Sequence, residues 1–131
     1  MRRRPLSGDD RGSAPVEFIL VGTLLTVLTL GVLQLGLGVY VRNVVHDAAV
    51  EGAYRAALAD TSLTDGEKRT RELITRAIGA SYARQVEATV TSVGGQRTVT
   101  VTVRTPIPVM GLLGAPGAWE VSADAPAESL E

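Results

Sequence analysis

The chain has 131 residues, a formal net charge of −1, no cysteine and one histidine. That length holds one domain with an appendage. The missing cysteines exclude disulfides, thiol catalysis and thiolate metal sites, a lone histidine makes no metal centre, and the charge balance leaves no basic patch for nucleic acid.

Residues 1–12 form a basic leader, with Arg2, Arg3, Arg4 and Arg11 against Asp9 and Asp10. Gly12 ends it, and Glu17 then stands alone at the mouth of an apolar run. Residues 18–41, "FILVGTLLTVLTLGVLQLGLGVYV", contain no charge over 24 positions. As a helix this run rises about 36 Å, enough for a hydrocarbon core of about 30 Å with some tilt. Thr23, Thr26 and Thr29 are tolerable there, because a helix hydroxyl can return a bond to the preceding turn; Gln34 is tolerated with them. The run is too long for the apolar region of a secretory signal, and no small-x-small cleavage site directly follows it. The basic leader therefore predicts a single-pass protein with its N-terminus in the cytoplasm and its larger part outside.

The helical period continues past the span. Val41, Val44, Val45, Ala48, Ala49, Gly52, Ala53 and Ala56 recur at steps of three and four, forming one apolar stripe. His46, Asp47, Glu51 and Arg55 take the other side, with Glu51 and Arg55 spaced as an ion pair. One helix is expected from about Pro15 to Ala59. Ala48, Ala49, Gly52, Ala53 and Ala56 are candidate helix-packing residues, since small side chains let another backbone come close. The stripe seats the protein's own sheet, receives a partner helix, or does both.

"DTSLTDGEKRT" breaks that helix. Thr64 with Glu67 has the spacing of a capping box, and a second helix runs to about Gly79 with Leu73, Ile74, Ala77 and Ile78 inward. "QVEATVTSV", Gly94-Gly95 and "QRTVTVTVR" then alternate at period two around a turn pair, which predicts a hairpin. A two-residue turn places Val86 opposite Val103, Ala88 opposite Val101 and Val90 opposite Val99, all on one face. Residues 105–118, "TPIPVMGLLGAPGA", are a Pro/Gly-rich connection, irregular with at most a helical turn. "WEVSADA" reads as a third strand, and "PAESLE" as a frayed end. The fold class is α+β. A cytoplasmic leader (1–12) precedes a long helix (13–59, membrane-spanning over 18–41). A head (60–131) then carries a second helix and a three-stranded antiparallel sheet. A domain this small without disulfides needs the long helix to complete its core.

Glu17 taken alone reads as an acid complementing a helix dipole. The chain as a whole, however, resembles the type IV pilin superfamily: basic leader, Gly12, a carboxylate five residues on, a long apolar helix and a small α+β head. Two stretches, "RGSAPVEF" (11–18) and "AAVEGAYRAA" (48–57), resemble the TadE-like minor pilins or pseudopilins of tight-adherence (Flp) pili. The resemblance implies a protein of the bacterial cytoplasmic membrane, cut between Gly12 and Ser13 by a prepilin peptidase. Gly12 suits a tight protease pocket and an extended backbone. Pro15 would fall in the first helical turn, where its missing N–H costs nothing. Glu17 would be the assembly residue, facing the Ser13 amine. The implied partners are that peptidase, other pilin subunits, the inner-membrane assembly platform and the lipid bilayer.

No cofactor, metal or catalytic residue is expected. His46 reads as a solvated helix residue, nothing orders a nucleophile–base pair, and the chain is not expected to be an enzyme. A filament-assembly component is the favoured class. The alternative is a signal-anchored extracytoplasmic binding or sensor module, which an intact leader on the mature protein would favour.

Overall fold

A computed structural model of the chain describes residues 12–108 and 117–128. Its elements are α1 (Ser13–Ala57), α2 (Leu63–Ala77), a short 3-10 turn (Ala80–Tyr82), β1 (Gln85–Val93), β2 (Gln96–Pro106) and β3 (Ala118–Pro126). The leader up to Arg11, most of the Pro/Gly-rich connection (109–116) and the last three residues lie outside the described residues. The chain divides into two compact units, Met1–Leu35 and Gly36–Glu131.

In the first unit α1 is apolar all round. Thr23, Thr26 and Thr29 each donate a hydroxyl hydrogen bond to the carbonyl four residues back, at 2.8 Å, so their polarity is absorbed within the helix. An 18-residue window of α1 has a mean hydropathy of 2.2 and is 0% buried in the fold. A core helix of that composition would be covered by its own protein, since exposing it to water forfeits the hydrophobic driving force. This helix is long and apolar enough to cross a membrane.

The second unit takes residues 36–57 of α1 together with the head. α1 ends at Ala57 rather than Ala59. The Thr61 hydroxyl donates to the Arg55 and Leu58 carbonyls, and the Thr61 N–H also donates to Leu58, which closes the helix end. α2 starts two residues earlier than the Thr64–Glu67 spacing predicts. Ser62 is the N-cap: its hydroxyl accepts from the Asp65 N–H at 3.2 Å, while its own N–H donates to the Asp65 carboxylate at 3.0 Å. Glu67 is needed elsewhere, accepting the Ala88 N–H at 3.0 Å beside Arg71, which donates to the Val86 carbonyl at 2.9 Å. Two groups on the open edge of β1 are satisfied in this way.

The sheet is an antiparallel meander in the order β1–β2–β3. The hairpin register follows the alternation: Val86 pairs with Val103, Ala88 with Val101 and Val90 with Val99. Gly94 and Gly95 have φ of 60° and 86°, the left-handed pair that a two-residue turn of matching twist requires. Val90, near the turn, is exposed although its partner Val99 is buried. β3 adds Val121, Ala123 and Ala125 to the buried face. Its end is not frayed over the described residues. The Ala127 N–H donates to the Arg97 carbonyl and the Glu128 N–H to the Ala57 carbonyl, each at 2.9 Å. The core is a single cluster joining the α1 stripe, Ile74 of α2 and the inward valines and alanines of the sheet.

Candidate assembly site

The residues singled out by sequence fall in two places. Gly12, Ser13 and Glu17 stand at the start of α1, all exposed. A Cβ built at Gly12 would meet nothing within 4 Å, and its φ is not positive. Neither packing nor backbone conformation within the described residues calls for glycine there. Ser13 is the first residue of α1 and Pro15 lies in its first turn, where proline is compatible with the helix. Glu17 lies just past that turn, which contains no acid. The dipole field acts mainly within the first turn, so the capping role of Glu17 is weak. Its neighbours Val16 and Phe18 are 59% and 80% exposed, which leaves the carboxylate on an apolar helix surface.

Ala48, Ala49, Gly52, Ala53 and Ala56 lie at the other place, and the structure buries all five inside the head's own core. The reason lies in α2, whose backbone crosses α1 at Gly52. A Cβ built at Gly52 would stand 1.8 Å from the Thr70 Oγ1 and 2.7 Å from the Gly66 carbonyl oxygen. One built at Gly66 would stand 2.5 Å from both the Ala56 Cβ and the Gly52 oxygen. Thr70, 0% exposed, donates to the carbonyls of Gly66 and, across the helix crossing, Ala48 at 3.0 and 3.3 Å. Two glycines and a threonine hydroxyl thus bring two backbones together, as small-residue helix crossings do.

Gly66 and Thr70 were not singled out from sequence, yet a signal was present. Glycine inside a helical run costs about 1 kcal/mol against alanine unless packing demands it. Ala77, expected inward, is exposed, because α2 turns its Gly66–Thr70–Ile74 face to α1 and the sheet. Glu51 pairs with Arg69 of α2 at 3.4 Å rather than with Arg55. The pair is exposed on both sides and adds little stability. His46 is exposed, and no group of three or more His, Cys, Asp or Glu that could hold a metal occurs among the described residues.

The architecture defines a class: a small α+β head built on the upper half of a helix whose lower half is uniformly apolar. Residues 12–53 match the family described as TadE-like protein, which is the family the two sequence blocks resemble. The match begins at Gly12 and takes in Glu17, the apolar span and the start of the α1–α2 crossing. No curated protein and no solved structure matches the chain.

Proposed function

We propose that this chain is a minor pilin or pseudopilin of a tight-adherence pilus or related secretion filament. On this reading it is an assembly component rather than a catalyst, held in the bacterial cytoplasmic membrane with its head outside. The observation that carries the proposal is the TadE-like match beginning at a glycine that no contact or backbone angle among the described residues requires. A residue that neither packs nor bends the chain is free to be selected by another protein, here the peptidase that would cut Gly12 from Ser13. Cutting there makes the Ser13 amine a cation beside the bilayer, where an unpaired charge costs on the order of 2–3 kcal/mol or more. Glu17, one helical turn along, neutralises that amine within a subunit or on a neighbour arriving alongside. The second arrangement couples charge neutralisation to docking at the filament base.

The test separates processing from assembly. Gly12→Leu should keep residues 1–12 attached, whereas Glu17→Gln should be trimmed normally but join pilus complexes poorly. Normal incorporation of Glu17→Gln would remove the carboxylate from the assembly step. Trimming of Gly12→Leu would remove the proposed cleavage site.

A further inference from the structure

Two contacts tie β3 and the residues just after it to α1. At one end the Glu128 N–H donates to the Ala57 carbonyl. At the other, the Trp119 ring lies against Gly38, so closely that a Cβ at Gly38 would be 3.1 Å from the ring edge. The lengths agree: the strand from Trp119 to Glu128 covers about 30 Å, and the helix from Gly38 to Ala57 about 28 Å. Trp119 is therefore level with Gly38, which precedes the first charged residue of the upper helix, Arg42, by about 6 Å. That level lies inside the uncharged run of residues 18–41.

The same end of the head collects the groups suited to a lipid interface. Trp119 is half-buried. Tyr40 is 53% exposed on the helix beside this level. The Ile107 N–H donates to the Gly117 carbonyl at 3.1 Å, closing the base of the connection immediately below Thr105 and Trp119. The nearest charges are mixed, with Glu87 and Glu120 on the same surface as Arg84 and Arg104. Arg104 is paired with Glu120 at 3.0 Å, and Arg42 and Arg84 have no ion pair among the described residues.

We propose that the Trp119 end of the head rests in the bilayer interface, a second lipid contact beside the α1 span. It rests on the reading of α1 as a membrane span. Aromatic side chains with one apolar and one polar end favour the headgroup level, and free arginines above them face anionic headgroups. The head is then pinned against the membrane at two points instead of swinging on one helix.

Trp119 is the sole tryptophan, so the full chain carries its own probe. The protein is reconstituted in phosphatidylcholine–phosphatidylglycerol vesicles whose acyl chains are brominated either near the headgroup or near the chain end. Span insertion is read separately, from resistance of the same vesicles' protein to alkaline carbonate extraction. The expected result is a carbonate-resistant protein whose fluorescence falls strongly with shallow bromine and less with deep bromine. A carbonate-resistant protein with unchanged fluorescence in both lipids, or with stronger loss from deep bromine, overturns the interfacial contact and leaves the span intact. Extraction by carbonate overturns the span, and the proposal with it.

Discussion

Replacing Gly52 with alanine tests the helix crossing most directly. On propensity alone the change should stabilise α1 by about 1 kcal/mol. The structure predicts the opposite sign. The new methyl would stand 1.8 Å from the Thr70 hydroxyl oxygen and 2.7 Å from the Gly66 carbonyl oxygen. Thr70 cannot simply rotate, because it is fully buried and its hydroxyl already serves two carbonyls. Turning it away leaves a buried polar group unpaired, which costs about 1–3 kcal/mol. The Gly66 oxygen belongs to backbone, so α2 must also retreat, an overpacking strain of about 1–3 kcal/mol. After subtracting the propensity gain, a net loss of about 1–5 kcal/mol, centred near 3, is expected. For a head of this size the central value lowers Tm by roughly 12–24 °C, at about 4–8 °C per kcal/mol. The assay is a thermal melt of the full chain in detergent micelles followed by Trp119 fluorescence, since Trp119 packs on Gly38 within the same unit. Adding Thr70→Ala to Gly52→Ala removes the nearest oxygen and should restore part of the loss, but not all, because the Gly66 carbonyl remains. A Gly52→Ala protein with unchanged or raised Tm would mean the backbones do not meet there.

Val101 is fully buried at the centre of β2, so Val101→Asp places an unpaired charge in the core and should unfold the head, seen as rapid proteolysis beyond Arg42. Survival of a protease-resistant head would place that face in solvent. At the α2 N-cap, the Ser62 N–H and hydroxyl hold the Asp65 carboxyl below its ordinary value. A carboxylate whose folded pKa is depressed stabilises above its unfolded pKa and loses that contribution as pH falls through the folded one. Asp65→Ala should therefore lower Tm at neutral pH, with the gap to wild type closing under acid conditions below the usual aspartate range. A gap independent of pH would assign the loss to something other than the charged cap.

What could be read from sequence was what neighbouring residues decide among themselves. An uncharged run has a length, and length alone settles whether it can cross a bilayer. A strand's period is two, so the valines on either side of Gly94-Gly95 admitted one register, and a slip of one residue would have turned every one of them to solvent. The small-residue stripe was legible in the same way, as a periodicity of α1.

Its occupant was not, because a stripe of alanines has no preference between a helix of the same chain and one of another. That choice belonged to Gly66 and Thr70, brought to Gly52 only once α2 folds back along α1. The capping box moved from Thr64–Glu67 to Ser62–Asp65 for a similar reason. Both spacings are locally acceptable, and the open edge of β1, distant in sequence, claims Glu67. Glu51 likewise left its helical neighbour Arg55 for Arg69 across the crossing. Trp119 showed only as the first apolar position of an alternating strand. That it lies level with Gly38 follows from two contacts nine strand residues apart matching nineteen helix residues, a coincidence of lengths that exists only in three dimensions.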